Sequence, residues 1–174
     1  PREFKVLGFK VPLGGKAGPF ASIGPELPLR LAAPFATTMH PDSGALAIWN
    51  HGVLMVLERD EDGKYIRARE TEFEGTKGAA VLAFAGSTLV VALADGRIWV
   101  IDPTDLSVRH EFRPEGKNQP RIVEASPDGR WLTVVFHNQK LWLFDATNDQ
   151  PRTFSIVGRN DISAATFRGK NRLL

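Results

Sequence analysis

The sequence predicts an all-β chain of repeated four-stranded antiparallel units, and three observations carry that reading. The first is one clear unit, Ser126 to Asp145. A turn, Ser126-Pro127-Asp128-Gly129, opens an apolar run from Trp131 to Phe136. A second turn, His137-Asn138-Gln139, closes it, and a further run from Leu141 to Phe144 stops at Asp145. The second observation is self-similarity. Gly96 to Asp102 lies over Gln139 to Asp145, so that Trp99 falls on Trp142 and Asp102 on Asp145, and Gly52 to Glu58 takes the same place one period earlier. The third is the spacing of apolar residues, which is two rather than helical. Four short antiparallel strands in a period of about 43 residues are the signature of a β-propeller blade, whereas helical repeats of similar length would show a 3.6-residue spacing. The expected fold is therefore a β-propeller of four-stranded antiparallel blades, part of a larger ring.

Residues 1–34 open with an alternating strand candidate, Phe4 to Val11. They continue as a Pro/Gly-rich linker holding Pro12, Pro19, Pro25, Pro28 and Pro34. Gly14-Gly15-Lys16 fails as a phosphate loop, because that motif needs four residues between its glycines and Ser or Thr after the Lys, and Ala17 follows instead. Propeller blades occupy residues 35–174, at about 35–78, 79–118 and 119–160, with a partial copy at 161–174. In the first copy, strands a to d fall at Phe35–Met39, Ala45–Trp49, Val53–Leu57 and Tyr65–Phe73. In the second they fall near Ala80–Phe84, Thr88–Leu93, Arg97–Ile101 and Ser107–Phe112. The a strands are rich in small residues such as Ala36, Ala79, Ala83 and Ala125, which suits crowding near a central axis. The fourth copy breaks off within its strand b, where Leu173 and Leu174 align with Trp131 and Leu132, so further polypeptide is expected in the native assembly.

With 174 residues, 43% of them hydrophobic, the chain can bury a folded core. It has no cysteine, which excludes disulfides, thiolate zinc sites and cysteine nucleophiles. No stretch approaches the ~18 uninterrupted apolar residues of a membrane helix, so no membrane insertion is expected. The compartment is open, with the cytoplasm favoured. The net charge of +2 hides an asymmetry. Residues 35–150 carry 12 Lys/Arg against 17 Asp/Glu, while the segments on either side are basic. A nucleic-acid binder concentrates its basic residues on the folded body, so no nucleic-acid partner is expected.

The blade-like residues resemble the WD40-like propeller family. Ser126-Pro127-Asp128-Gly129 is similar to the family's a–b turn, and Ile98 to Asp102 and Leu141 to Asp145 are similar to its strand c with an acidic end. The chain lacks the family's Gly-His pair and its Trp-Asp dipeptide, so a divergent member is expected. The resemblance implies a scaffold whose b–c turns and d–a connections share one face and bind other protein chains, including polypeptide that completes the ring.

On that reading the candidate partner-binding residues are Asn50, His51, Asp95, His137 and Asn138 in the b–c turns, with Trp49 and Phe136 at the ends of strands b as rim aromatics. His51 aligns with Asp95 and Asn138, so it reads as a hairpin-turn residue before it reads as a ligand. Asp102 and Asp145 recur once per blade, which suits c–d turn caps better than paired catalytic carboxylates. Trp99 and Trp142 read as inter-sheet core. No catalytic, cofactor-binding or metal-ligating set emerges, and the chain is expected not to be an enzyme. Two other readings stand beside the scaffold. One is an accessory propeller domain of a larger, membrane-associated protein. The other is a propeller enzyme with its site at the central channel, for which Glu124 is the charged residue expected from the a strands.

Overall fold

The computed structural model describes residues 2–6, 9–10, 21–22, 27–31, 35–76, 78–114, 118–138, 140–146, 154–157, 162, 165–168 and 172–173. For 2–31, 68, 154–157, 168 and 172 within them, only the backbone is described. Every element among these residues is a strand, so none is a helix long and apolar enough to cross a membrane.

The first four strands are β1 (Arg2–Val6), β2 (Phe9–Lys10), β3 (Ala21–Ser22) and β4 (Leu27–Leu31). Strand β4 lies inside the segment expected to be loop, and pairs antiparallel with β1, Lys5 opposite Pro28. A two-stranded ribbon tolerates this proline, because each strand has an outer edge that needs no ladder donor. Strand β2 pairs with β3. Gly14 to Lys16 and the expected d–a connection over residues 158–160 lie outside the described residues.

Three four-stranded antiparallel sheets follow, each a simple meander. The first holds β5 (Phe35–Met39), β6 (Leu46–Asn50), β7 (Val53–Arg59) and β8 (Tyr65–Glu72). The second holds β9 (Ala80–Ala85), β10 (Thr88–Leu93), β11 (Ile98–Ile101) and β12 (Val108–Phe112). The third holds β13 (Pro120–Ala125), β14 (Trp131–Phe136), β15 (Lys140–Asp145) and β16 (Phe154–Val157). Their first strands pack together, β5 on β9 and β9 on β13. The sheets thus stand side by side around a common inner edge. The last two strands, β17 (Phe167–Arg168) and β18 (Arg172–Leu173), pair with each other in the partial copy.

Between the sheets lie two apolar layers. The first joins Ala47, Trp49, Leu54 and Val56 to Leu89, Val91, Trp99 and Ile101. The second joins Val90, Ala92, Ile98 and Val100 to Leu132, Val134, Phe136 and Phe144. Successive residues of β10 and β11 point alternately into the two layers, as the pleat requires. That is why the middle sheet reads as unbroken apolar sequence: both of its faces are covered. Each fully buried Leu or Val contributes about 1.5–3 kcal/mol. A third, smaller cluster sets Val135 and Leu141 against Ala165, Ile162 and Leu173 of the partial copy.

Candidate functional site

The b–c turns are built for sharp reversal. His51 at φ 48 and Gly52 at φ 92 both occupy the left-handed region, the conformation of a two-residue hairpin turn matched to strand twist. These turns meet the d–a connections at one end of the sheets. Phe73 N donates to Gly52 O, Ala94 N to Ala79 O, and His137 N to Gln119 O. Each b–c turn is therefore tied by backbone to a neighbouring connection, and together they form one loop face.

Three adjoining cavities run along this face. The largest, of about 620 Å³, lies between Ala94 to Arg97 on one side and Arg113, Pro114 and Gln119 on the other. One of about 210 Å³ continues past Ala94 and Gln119 to Arg121 and His137. One of about 150 Å³ extends the other way, to Gly75 and Thr76. Ala94 borders all three.

A chain of polar contacts holds the wall of the largest cavity. Arg97 bonds Asp95 through Nε at 2.8 Å and Nη2 at 2.7 Å. Its guanidinium lies 5.0 Å over the Trp99 ring. Trp99 Nε1 donates to Glu111 at 2.9 Å, and Arg113 Nε donates to the other Glu111 oxygen at 2.8 Å. Burial raises the Asp95 pKa, but its bonds from the Arg97 side chain and backbone outweigh that and hold it below the ordinary carboxylate range. The Arg113 bond, and then the Trp99 bond, hold Glu111 low in the same way. Both carboxylates are thus charged and oriented at neutral pH.

No protein-family model matches the chain. It is similar to the 77 kDa echinoderm microtubule-associated protein of Strongylocentrotus purpuratus, 31% identical over 78 residues that make up 43% of this chain and 11% of that protein. Among solved structures it resembles Kluyveromyces lactis Hsv2 at a TM-score of 0.64 and 16% identity, over 86% of this chain and 52% of that one. Chaetomium thermophilum Raptor matches at 0.56 and 20% identity, over 70% of this chain and 12% of Raptor. Moraxella catarrhalis BamB matches at 0.52 and 14%, over 68% and 35%. Propellers recur among these relatives, and the three radial sheets match their blades. The chain has a β-propeller fold. It spans about half of the Hsv2 chain and about a tenth of the sea-urchin protein.

In this propeller the turn candidates His51, Asp95, His137 and Asn138 are exposed and Asn50 is half-buried. Asp95 and His137 border the run of cavities. The rim aromatics are a correction. Trp49 is 0% exposed and Phe136 1%. Trp49 Nε1 donates to Gly78 O at 3.0 Å, so its indole pins the d–a connection from beneath. Phe136 packs edge-on to Trp142, with ring centres 6.4 Å apart. Both are core because a connection or a neighbouring sheet covers the strand end, which the strand's own sequence does not reveal.

Asp102 does cap its c–d turn. It accepts from the Thr104 hydroxyl at 2.6 Å and the Thr104 N–H at 2.8 Å, and pairs with Arg109 at 2.9 Å. The Thr104 hydroxyl, its N–H and then Arg109 lower the Asp102 pKa to about 2. Asp145 differs, being buried across from Trp131 and facing Arg130 at 3.5 Å. Glu124 is not the only charged residue of the inner strands, since β13 also carries exposed Arg121. Arg97 is the cavity residue that sequence reasoning missed, whereas Arg113 and Gln119 belong to a d–a connection, 113–120, expected on the loop face. The one signal for Arg97 is position: it follows the turn glycine where the other copies have Val53 and Lys140.

Proposed function

We propose that this propeller is a non-catalytic interaction module that takes protein partners on its loop face, through Asn50, His51, Asp95, His137 and Asn138. The observation that supports it is the run of adjoining cavities where the b–c turns meet the d–a connections. An open groove with both polar and apolar lining suits an extended polypeptide better than an enclosed small molecule. The association with microtubules named for the sea-urchin relative is a contact with protein, and a protein partner is what carries over to this chain. The enzymatic reading finds little support in Glu124, which packs in a partly buried place on β13 opposite Thr133 with no base or nucleophile among the described residues hydrogen-bonded to it.

The same reading has further polypeptide completing the ring. Phe35 and Met39 are 37% and 57% exposed on β5. The pairing register puts them on the face of Ile48, Met55 and Leu57, away from the second sheet. A neighbouring blade would cover that face, and the matched propellers extend well beyond the length this chain spans.

Photo-cross-linking tests the proposal. A cross-linking side chain at position 51 or 137 is expected to capture partner protein, and one at Asp42 or Asp128 in the a–b turns of the opposite face is not. Adducts from the a–b turns alone, or the same adducts from both faces, would contradict it.

A further inference from the structure

We infer that the groove on the loop face is selective for an acidic segment of its partner, with a partner carboxylate seated on Arg113. This rests on the reading of that face as a protein-binding surface. Charge is the first observation. Among the described residues, the three cavities are bordered by Arg97, Arg113 and Arg121 and by one carboxylate, Asp95, which Arg97 pairs; Glu111, behind the wall, pairs with Arg113 through Nε alone. The surroundings have the opposite sign, with 17 acidic and 12 basic residues over positions 35–150. A basic channel in an acidic body draws an acidic chain to one place on the molecule.

The repeat itself supplies the second observation. One step beyond the Ile98–Phe112 pair, the second sheet places Arg113 beside Arg97. In the first sheet the equivalent pair is Val53 with Glu72, and in the third it is Lys140 with Val157. An acid, a base and a valine hold the same place in three sheets of one fold, so folding does not dictate an arginine there.

Third, the arginine is held ready. Its Nε is fixed by Glu111, which Trp99 Nε1 holds from the other side. The side chain is still 71% exposed. A guanidinium anchored through Nε keeps its two terminal nitrogens for a carboxylate, and binding then loses little side-chain freedom.

The indole N–H of Trp99 is a built-in reporter, because it donates to the same carboxylate that holds Arg113. The whole chain would be titrated, in physiological salt, with an acetylated and amidated peptide Gly-Ser-Asp-Glu-Ser-Gly and with its amide counterpart Gly-Ser-Asn-Gln-Ser-Gly, while the indole resonances are followed by NMR. The acidic peptide is expected to shift the Trp99 resonance along a saturating curve, with affinity at least about tenfold above its counterpart. The Trp142 indole, which has no hydrogen-bond acceptor among the described residues, is expected to stay still. Arg113→Gln, at an exposed position that leaves the fold intact, is expected to abolish the response. An unmoved Trp99 signal up to about 10 mM peptide, or an undiminished response in Arg113→Gln, would overturn the inference. Equal binding of the two peptides would overturn it too, while leaving the loop face a protein-binding surface.

Discussion

Gly129 shows how little room the opposite face leaves. It stands at φ +71 in the a–b turn of the third sheet, and a Cβ there would lie 2.6 Å from Gly86 N and 2.8 Å from Ala85 O. Backbone on both sides cannot yield as a flexible side chain can. Gly129→Ala is therefore expected to cost at least about 2 kcal/mol, read by urea denaturation, because a steric clash adds to the left-handed backbone penalty. Gly75 has a similar φ of +72 but nothing within 4 Å, so Gly75→Ala is expected to cost only about 1 kcal/mol. A comparable loss at both positions would mean that contact between the a–b turns contributes nothing. His40 ties the same face together, its Nε2 donating to Gly86 O at 3.0 Å while Nδ1 accepts from Asp42 N and Ser43 N. At this scale the sequence was legible where a residue's role is local. Asp102 caps its turn as its repeat position suggests, because both partners, Thr104 and Arg109, lie within seven residues. The burial of Trp49 was not legible, because its acceptor Gly78 is 29 residues away and belongs to a connection without a pattern of its own. The tryptophans make the same point. Trp99 meets Glu111 across the ladder, whereas Trp142 meets Ser155 and keeps a buried N–H with no acceptor among the described residues.

Strands were more legible than side-chain roles. Strands β5, β10 and β14 occupy the residues that alternation and turn punctuation assign to them, because turn chemistry fixes hairpin register. Strand β4 was missed because prolines suppress any strand reading, and the features that excuse Pro28, a two-stranded ribbon and its free edge, are tertiary. Strand β13 yields a pH prediction. Glu124 lies opposite Thr133, whose buried hydroxyl has no partner among the described residues, and burial pushes the Glu124 pKa up. Its carboxyl loses a proton more readily in the unfolded chain than in the folded one. The stability it contributes is present below the unfolded value and is lost as pH rises through the folded one. Glu124→Gln is expected to melt higher than the parent at pH 7, with the gap closing below about pH 4, where both side chains are neutral. A gap of unchanged size at both pH values would place the effect in packing instead of ionisation.

For the whole molecule, the period and the four antiparallel strands of each copy were present in the sequence as a repeat of about 43 residues. The composition of the loop face was not. Its arginines come from a b–c turn, the end of a d strand and an inner strand, and only folding brings Arg97, Arg113 and Arg121 to one channel. The sheets form an arc in which each inner layer is sealed by its neighbour, while the face of β5 bearing Phe35 and Met39 stays open. Exposed apolar area of that kind drives association. The measurement that tests this most directly is the solution mass of residues 1–174 by light scattering after gel filtration. The account of a ring completed by further polypeptide predicts a mass of twice the chain or more, or a stable complex with the polypeptide that closes the ring. A compact, monodisperse monomer with all its strands paired would contradict it.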